Sequence, residues 1–268
     1  MICNLCPRMC GAVRTEDAGN SLCGEGTLPV IARAALHQWE EPVISGTRGS
    51  GTVFFSGCSL GCVFCQNEVI SHRDFGKPVS LARLGEICDE LIAQGAHNIN
   101  FVNPTHYAHV VRELLISHPL PVPVVWNTGG YERLETLRSL EGLVDIYLPD
   151  FKYITADRSM KYSSAPDYFE RTAEALSEMK RQQSEDVIEN GLMKKGIILR
   201  HLVLPGQYKD SYKVLDWVKE ERRKRNEKMV AMMAADGFDV SLKELEEAGL
   251  VIRREYLEVP VRVEYEIT

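Results

Sequence analysis

The amino-acid sequence predicts an α/β protein: a partial, open (β/α) barrel with a cysteine-rich N-terminal extension and an atypical C-terminal helix plus β-hairpin. Three observations predict it. Between residues 51 and 204, five short apolar segments alternate with stretches of helical apolar periodicity. Those segments are near-continuous Val, Ile, Leu and Phe, as in strands buried on both faces of a parallel sheet. Five strands are too few to close an eight-stranded barrel, so the sheet is expected to stay open. The chain has 268 residues, 44% hydrophobic and 26% charged, enough to bury one such core with attachments.

The elements follow in order. Residues 1–50 form the extension and a bridge. Leu28 to Leu36 is mostly apolar and is expected to lie against the core. The loop Ser45-Gly-Thr-Arg-Gly-Ser-Gly51 lacks the Gly-Lys-Ser/Thr ending of a phosphate-binding loop and reads as a tight connection. Residues 51–218 form the barrel. Thr52 to Ser56 is the first strand, broken at Gly57. Ser80 caps a helix to about Gln94, with Leu81, Leu84, Ile87, Cys88, Leu91 and Ile92 on its core face and Gly95 ending it. Asn98 to Val102 is the second strand, turning through Asn103-Pro104-Thr105-His106 into a helix bearing Val110, Val111, Leu114 and Leu115. Val122 to Asn127 is the third, followed by a helix with Leu134, Leu137 and Leu140. Leu143 to Leu148 is the fourth, ending in Pro149-Asp150-Phe151-Lys152; Pro166 to about Gln183 is helical. Ser184 to Lys195 reads as a polar link, Ile197 to Leu204 as the fifth strand, and a helix starts near Asp210. Residues 219–268 form the C-terminal segment. Lys219 to Lys228 reads as a solvated helix of mixed charge, Met229 to Ala235 is apolar, and Asp236-Gly237 is a turn. Ser241 caps a short helix, and Val251 to Tyr256 pairs with Val261 to Ile267 as a hairpin. In parallel α/β folds the site lies at the carboxyl ends of the strands, where polar residues gather here.

Composition narrows the chemistry. A net charge of -7 and a pI near 5.6 argue against broad nucleic-acid binding. The N-terminus has no apolar signal core and no run approaches about 18 apolar residues, so a cytoplasmic protein that does not enter membranes is expected. In a reducing compartment, eight cysteines, seven of them in two clusters, point to metal or catalysis over disulfides. Cys58, Cys62 and Cys65 are spaced C-x3-C-x2-C on a short loop after the first strand. That spacing lets one loop wrap a compact cluster, and three ligands on a four-iron cluster leave one iron open to a small molecule. Cys3, Cys6, Cys10 and Cys23 lie in a loop punctuated by Pro7, Gly11, Gly19 and Gly24; four such thiols suit zinc or a second iron–sulfur cluster, with buried unligated cysteines as the alternative.

The triad after the first strand of a βα-repeat chain resembles the radical S-adenosylmethionine (SAM) superfamily. Cys3-Asn-Leu-Cys-Pro-Arg-Met-Cys-Gly11, Ala34 to Pro42, Ser45 to Gly51, and Phe55-Ser-Gly-Cys58 with Phe64-Cys65-Gln66-Asn67 narrow the likeness to homologues of the pyruvate formate-lyase activating enzyme, from residue 1 to about Val218. The resemblance implies that Cys58, Cys62 and Cys65 ligate a 4Fe–4S cluster whose fourth iron binds SAM. It implies reductive SAM cleavage to a 5′-deoxyadenosyl radical that abstracts hydrogen, with no protein acid–base pair as catalyst. It also implies a reduced flavodoxin- or ferredoxin-type donor and a glycyl radical protein as substrate. Phe64 matches an aromatic position near adenine. Asn103-Pro104-Thr105 stands where relatives carry a carboxylate for the SAM amino group, so Asn103, Thr105 or backbone carbonyls take that contact. Asp150 and Lys152 match an Asp-Leu-Lys stretch at SAM, and Thr128 ends the third strand at the same depth.

The C-terminal segment departs from that pattern. Leu242-x2-Leu245 to Val251, with Glu258-Val259-Pro260 and Arg262 to Tyr265, resembles the recognition-helix end and wing of HxlR-type winged-helix regulators. Two alternatives to the enzyme therefore stand: a DNA-binding regulator, or a non-catalytic metal protein, built on the same body.

Overall fold

A computed structural model describes residues 2–72, 75–204 and 208–235. The chain divides into two compact units, Met1–Leu202 and Val203–Thr268. In the first unit the strands are β1 (Val30–His37), β2 (Ser50–Phe55), β3 (Lys77–Pro78), β4 (Ile99–Val102), β5 (Val124–Thr128), β6 (Ile146–Pro149), β7 (Val187–Glu189) and β8 (Leu192–Ile197). They form an eight-stranded sheet in the order β3-β1-β2-β4-β5-β6-β8-β7, open at both ends. The run β2-β4-β5-β6-β8 is parallel, and antiparallel strands flank it on either side. The helices are α1 (Pro42–Ser45), α2 (Glu68–His72), α3 (Leu81–Ala93), α4 (Ala108–Ser117), α5 (Leu134–Ser139), α6 (Ala156–Ser163) and α7 (Tyr168–Gln182).

The pleat sorts the strand residues. Val125, Ile146 and Leu148 share one face and pack with Ile44 of α1 and Met193 of β8. On the other face Val53, Phe55, Ile99, Phe101 and Trp126 are almost fully buried, and α3 packs against that part of the sheet. Ser80 accepts the Arg83 backbone N–H at the start of α3, as its capping role requires. Cys88 is a core residue of α3 with no exposure.

Four sequence expectations change. The apolar stretch around residues 30–37 is a strand, antiparallel to β2. The fifth parallel strand, β8, starts at Leu192 rather than Ile197, with its pairing to β6 running from Gly196 to Arg200, and the supposed polar link folds as the β7–β8 hairpin. Its cause is the Asn190-Gly191 turn, with φ of 52° and 76°, the left-handed pair that joins twisted strands tightly. Past Ile197 the pairing with β6 continues to Arg200, through the Ile198 N–H to the Tyr147 carbonyl (2.9 Å), the Arg200 N–H to the Pro149 carbonyl (3.0 Å) and the parallel Asp150–Arg200 bridge. Helix α6 was not foreseen; its polar face hides a short buried one formed by Ser159 and Ser163.

In the second unit, α8 (Tyr208–Ala235) runs unbroken through the charged stretch, braced by Arg223–Glu220, Arg223–Glu227 and Lys224–Glu221 pairs one turn apart. The expected turn, short helix and hairpin of residues 236–268 lie outside the described residues.

Candidate functional site

Strand β2 hands the chain to Gly57, which has φ of 78°. A Cβ there would lie 2.8 Å from the Cys23 carbonyl oxygen and 2.5 Å from Glu25 Cγ, so only glycine lets the two loops meet. The following loop buries Cys62 and half-buries Cys58 and Cys65; all three thiols are free. They pack with Leu60 and Phe64 against Tyr131, Tyr153, Tyr162 and Tyr168. The Phe64 ring meets Tyr153 and Tyr162 edge-on at 6.2 and 6.0 Å. Donors point at two of the sulfurs: the Leu60 N–H at Cys58 Sγ (3.3 Å), with the Gly61 backbone and the Asn103 side chain beside it, and the Ser163 hydroxyl at Cys62 Sγ (2.9 Å). Burial pushes the Cys58 thiol above its usual pKa, against the Gly61 and Leu60 backbone donors, so its thiolate calls for a cationic partner. Three soft donors on one loop with hydrogen bonds onto sulfur fit an iron–sulfur cluster with one iron left to a small ligand. A cavity of about 230 Å³ opens beside the loop, lined by Gly57, Cys58, Gly61, His72, Ser164 and Cys23 among others.

The strand ends bring a charge network to this loop. Lys152 pairs with Asp150, which also accepts from Arg200 Nε at 2.9 Å. Arg200 reaches Glu40 (2.9 Å) and Asn127 Oδ1 (2.7 Å), and Glu40 Oε2 accepts from Asn100 and Asn127, each at 2.9 Å. Burial alone would raise the Asp150 pKa, but the Lys152 and Arg200 charges outweigh it and hold the carboxylate below its usual range. Burial likewise opposes the Lys152 ammonium, and Asp150 and then Cys62 outweigh it and raise its pKa. Asn103, at φ of 52°, donates through its side chain to the Gly57 carbonyl at 3.1 Å.

Thr105 and Thr128 are placed differently. Both hydroxyls donate to Glu132 Oε1, at 2.6 and 2.5 Å, and Trp126 Nε1 donates to the same oxygen at 3.1 Å. Glu132 is buried, and burial pushes its pKa up against these three donors. Phe64, Asn103, Asp150 and Lys152 thus gather at the cysteine loop, while Thr105 and Thr128 are committed to a carboxylate that sequence reasoning missed. Glu132 follows a Gly-Gly turn in a polar stretch, and no periodicity marks it.

Cys3, Cys6, Cys10 and Cys23 line one small pocket, together with Ser59 and His106. Burial raises the Cys6 pKa to about 12; the Arg8 backbone opposes this, and the neighbouring Cys3, Cys23 and Cys10 add to it. Among the described residues no three His, Cys, Asp or Glu side chains are arranged to hold a single metal ion. A lone tetrahedral zinc, with Zn–S near 2.3 Å, needs thiolates about 3.8 Å apart; a four-iron cluster spreads its ligands more widely. Two arginines, also missed, seat this loop. Arg14 is buried and donates to the Glu25, Gly26 and His106 carbonyls. Arg8 donates to the Ser59 (2.9 Å) and Ser163 (2.6 Å) carbonyls and to those of Leu60 and Ser164.

The profile of the radical SAM superfamily matches residues 52–218. That of the HxlR-like helix-turn-helix family matches residues 214–268. An uncharacterised protein of Methanocaldococcus jannaschii is 31% identical over 214 residues, covering 76% of this chain and 57% of the relative. The chain therefore spans a little over half the length of that curated relative. No helix among the described residues is long and apolar enough to cross a membrane.

Proposed function

The chain belongs to the radical SAM superfamily, a membership that implies a 4Fe–4S cluster and SAM, and on that premise we propose that it is an enzyme that cleaves SAM reductively at Cys58, Cys62 and Cys65. The observation that carries this reading is the trio of free thiols on the loop after the first parallel strand, with Ser163 donating to Cys62. When bound, the cluster supplies one electron to the SAM sulfonium, giving methionine and a 5′-deoxyadenosyl radical for hydrogen abstraction. The protein's own residues bind and orient. Gly57 and Gly61 shape the loop, the ring cluster of Phe64, Tyr153 and Tyr162 excludes water beside it, and Ser163 steadies one thiolate. Asp150, Lys152 and Asn103 offer a carboxylate, an ammonium and an amide to the polar end of SAM. Thr105 and Thr128 act one step back, through Glu132, by holding the strand ends in place.

The finer reading is an activating enzyme of the pyruvate formate-lyase type. It would take its electron from a reduced flavodoxin- or ferredoxin-type protein, act on a glycyl radical protein, hold a second metal at Cys3, Cys6, Cys10 and Cys23, and work in the cytoplasm. The motifs of residues 3–67 and the N-terminal thiol pocket support it. Anaerobic reconstitution with reductant and SAM should yield 5′-deoxyadenosine, and Cys62→Ala should abolish it. Four bound irons with no product would refute the activity; full turnover by Cys62→Ala would refute the ligand assignment.

One observation favours a second reading. The match of residues 214–268 to HxlR-like helix-turn-helix proteins suits a DNA-binding regulator carried on the same body. A gel shift with the gene's own upstream DNA tests it. Specific, salt-sensitive binding would support it, and its absence would reject it.

A further inference from the structure

Resting on the radical SAM reading, we propose that Tyr153 and Ser163 form a hydrogen-bond relay onto Cys62 that raises the reduction potential of the cluster held by Cys58, Cys62 and Cys65. Two contacts build the relay. Ser163 Oγ donates to Cys62 Sγ at 2.9 Å, and the Tyr153 hydroxyl lies 2.6 Å from Ser163 Oγ. A serine hydroxyl has one proton to give. With that proton on sulfur, the Tyr153 hydroxyl is the donor to Ser163, and both hydrogen bonds run one way, toward the thiolate. Bonds chained in this sense polarise and strengthen one another. Tyr153, Ser163 and Cys62 are 1%, 2% and 7% exposed, so bulk water does not compete for either contact.

Both donors are held from outside the relay. Ser163 is the last residue of α6, and that end of the helix is fastened to the cysteine loop twice. The N–H of Val63, which lies between Cys62 and Cys65, donates to the Tyr162 carbonyl at 2.9 Å. Arg8 donates to the Ser163 carbonyl at 2.6 Å and to the Ser59 carbonyl at 2.9 Å. The Tyr153 ring stacks on Tyr162 at 6.4 Å and meets Tyr168 edge-on at 5.1 Å. The effect on the cluster has a definite sign. One-electron reduction adds negative charge to the iron–sulfur core and its thiolates. A hydroxyl aimed at a ligand sulfur stabilises that added charge, so the reduced state gains more than the oxidised one and the potential rises. No proton is transferred, because Ser163 keeps its own in both oxidation states. Ser163 and Tyr153 are therefore positioning residues that act on iron through Cys62. Backbone N–H groups serve Cys58 whatever the side chains, whereas the donor to Cys62 exists only because α6 ends in a serine.

The test is an anaerobic redox titration of the reconstituted full chain as wild type, Ser163→Ala, Ser163→Thr and Tyr153→Phe. Iron and sulfide are counted, and the electron paramagnetic resonance signal followed is the one that shifts when SAM is added. Ser163→Ala should keep that cluster and move its one-electron equilibrium about tenfold toward the oxidised state, a potential about 59 mV lower. Tyr153→Phe should move it the same way by about twofold, through the lost polarisation of Ser163. Ser163→Thr retains the hydroxyl and should restore the wild-type potential. An unchanged or raised potential in Ser163→Ala or in Tyr153→Phe would overturn the relay. A Ser163→Thr potential as low as that of Ser163→Ala would do the same, by showing that packing sets it. Where Ser163→Ala fails to fold or to retain iron, Tyr153→Phe, which leaves Ser163 and the ring in place, decides alone. A wild type with no SAM-responsive cluster would overturn the radical SAM reading and the relay with it; a SAM-responsive cluster at one potential in all four forms would overturn the relay alone.

Discussion

Replacing Glu132 separates the need for an acceptor from the cost of a buried charge. Its Oε1 accepts from Thr105, Thr128 and Trp126, and its Oε2 has no partner among the described residues. Glu132→Leu removes the acceptor and strands three buried donors. At about 1–3 kcal/mol for each unsatisfied group, the loss should be at least about 3 kcal/mol. Glu132→Gln keeps a carbonyl oxygen at Oε1 and places an unpartnered amide N–H₂ at Oε2, which should cost about 1–2 kcal/mol. The pH dependence has a definite sign. Burial raises the folded-state pKa, so the wild type is favoured below the usual glutamate value of about 4.3 and loses that advantage as pH rises through the raised one. Glutamine has no such loss, so the gap between wild type and Glu132→Gln should narrow as pH climbs from about 4 to 7. Urea unfolding of the three proteins, with midpoint and slope compared at several pH values, measures all of this. A Leu variant within about 1 kcal/mol of wild type, or Gln and Leu variants equally unstable, would show that Glu132 is not the acceptor holding these strand ends.

Three further outcomes follow from the same structure. Asp150→Asn removes the charge shared by Lys152 and Arg200 and should cost about 2–4 kcal/mol by urea titration at pH 7, with the difference from wild type shrinking as pH falls below about 4, because the native carboxylate pKa is depressed. Burial lowers His106 to about 3, so the native state loses stability as pH falls from about 6.5 toward 3, by up to about 5 kcal/mol; His106→Gln should flatten that stretch of the stability–pH curve. Gly191→Ala meets no atom within 4 Å but must hold φ of 76°, so thermal unfolding should show a loss of about 1 kcal/mol from backbone strain alone.

How far the fold was legible depends on the range of each signal. The four parallel strands from β2 to β6 appear as apolar runs because both their faces are buried, a local consequence of composition. The fifth begins five residues before the apolar run that marks it, at Leu192 rather than Ile197. Lys194 and Lys195 interrupt its apolarity, whereas Ile197 to Leu204 looks more strand-like than it is. The Asn190-Gly191 turn that fixes the β7–β8 hairpin is itself a local signal, but the strands it joins are too polar to stand out by composition. Thr105 and Thr128 show the opposite limit. Their placement at strand ends is readable, but the direction in which their hydroxyls point depends on Glu132, 27 residues from Thr105 in sequence.

The two cysteine sets, the four parallel strands β2, β4, β5 and β6, and the Ser80 cap of α3 are properties of neighbouring residues, so spacing and periodicity along the chain suffice to state them. Arg8 reaching Ser163 across 155 residues, and Arg200 reaching Glu40 across 160, exist only once the sheet has brought distant loops to one edge. Nothing in a single chain of letters ranks one arginine above another as the partner of a given carbonyl. Closure of the fold does, because a buried guanidinium must find every acceptor it can reach, and those acceptors come from segments far apart in the chain.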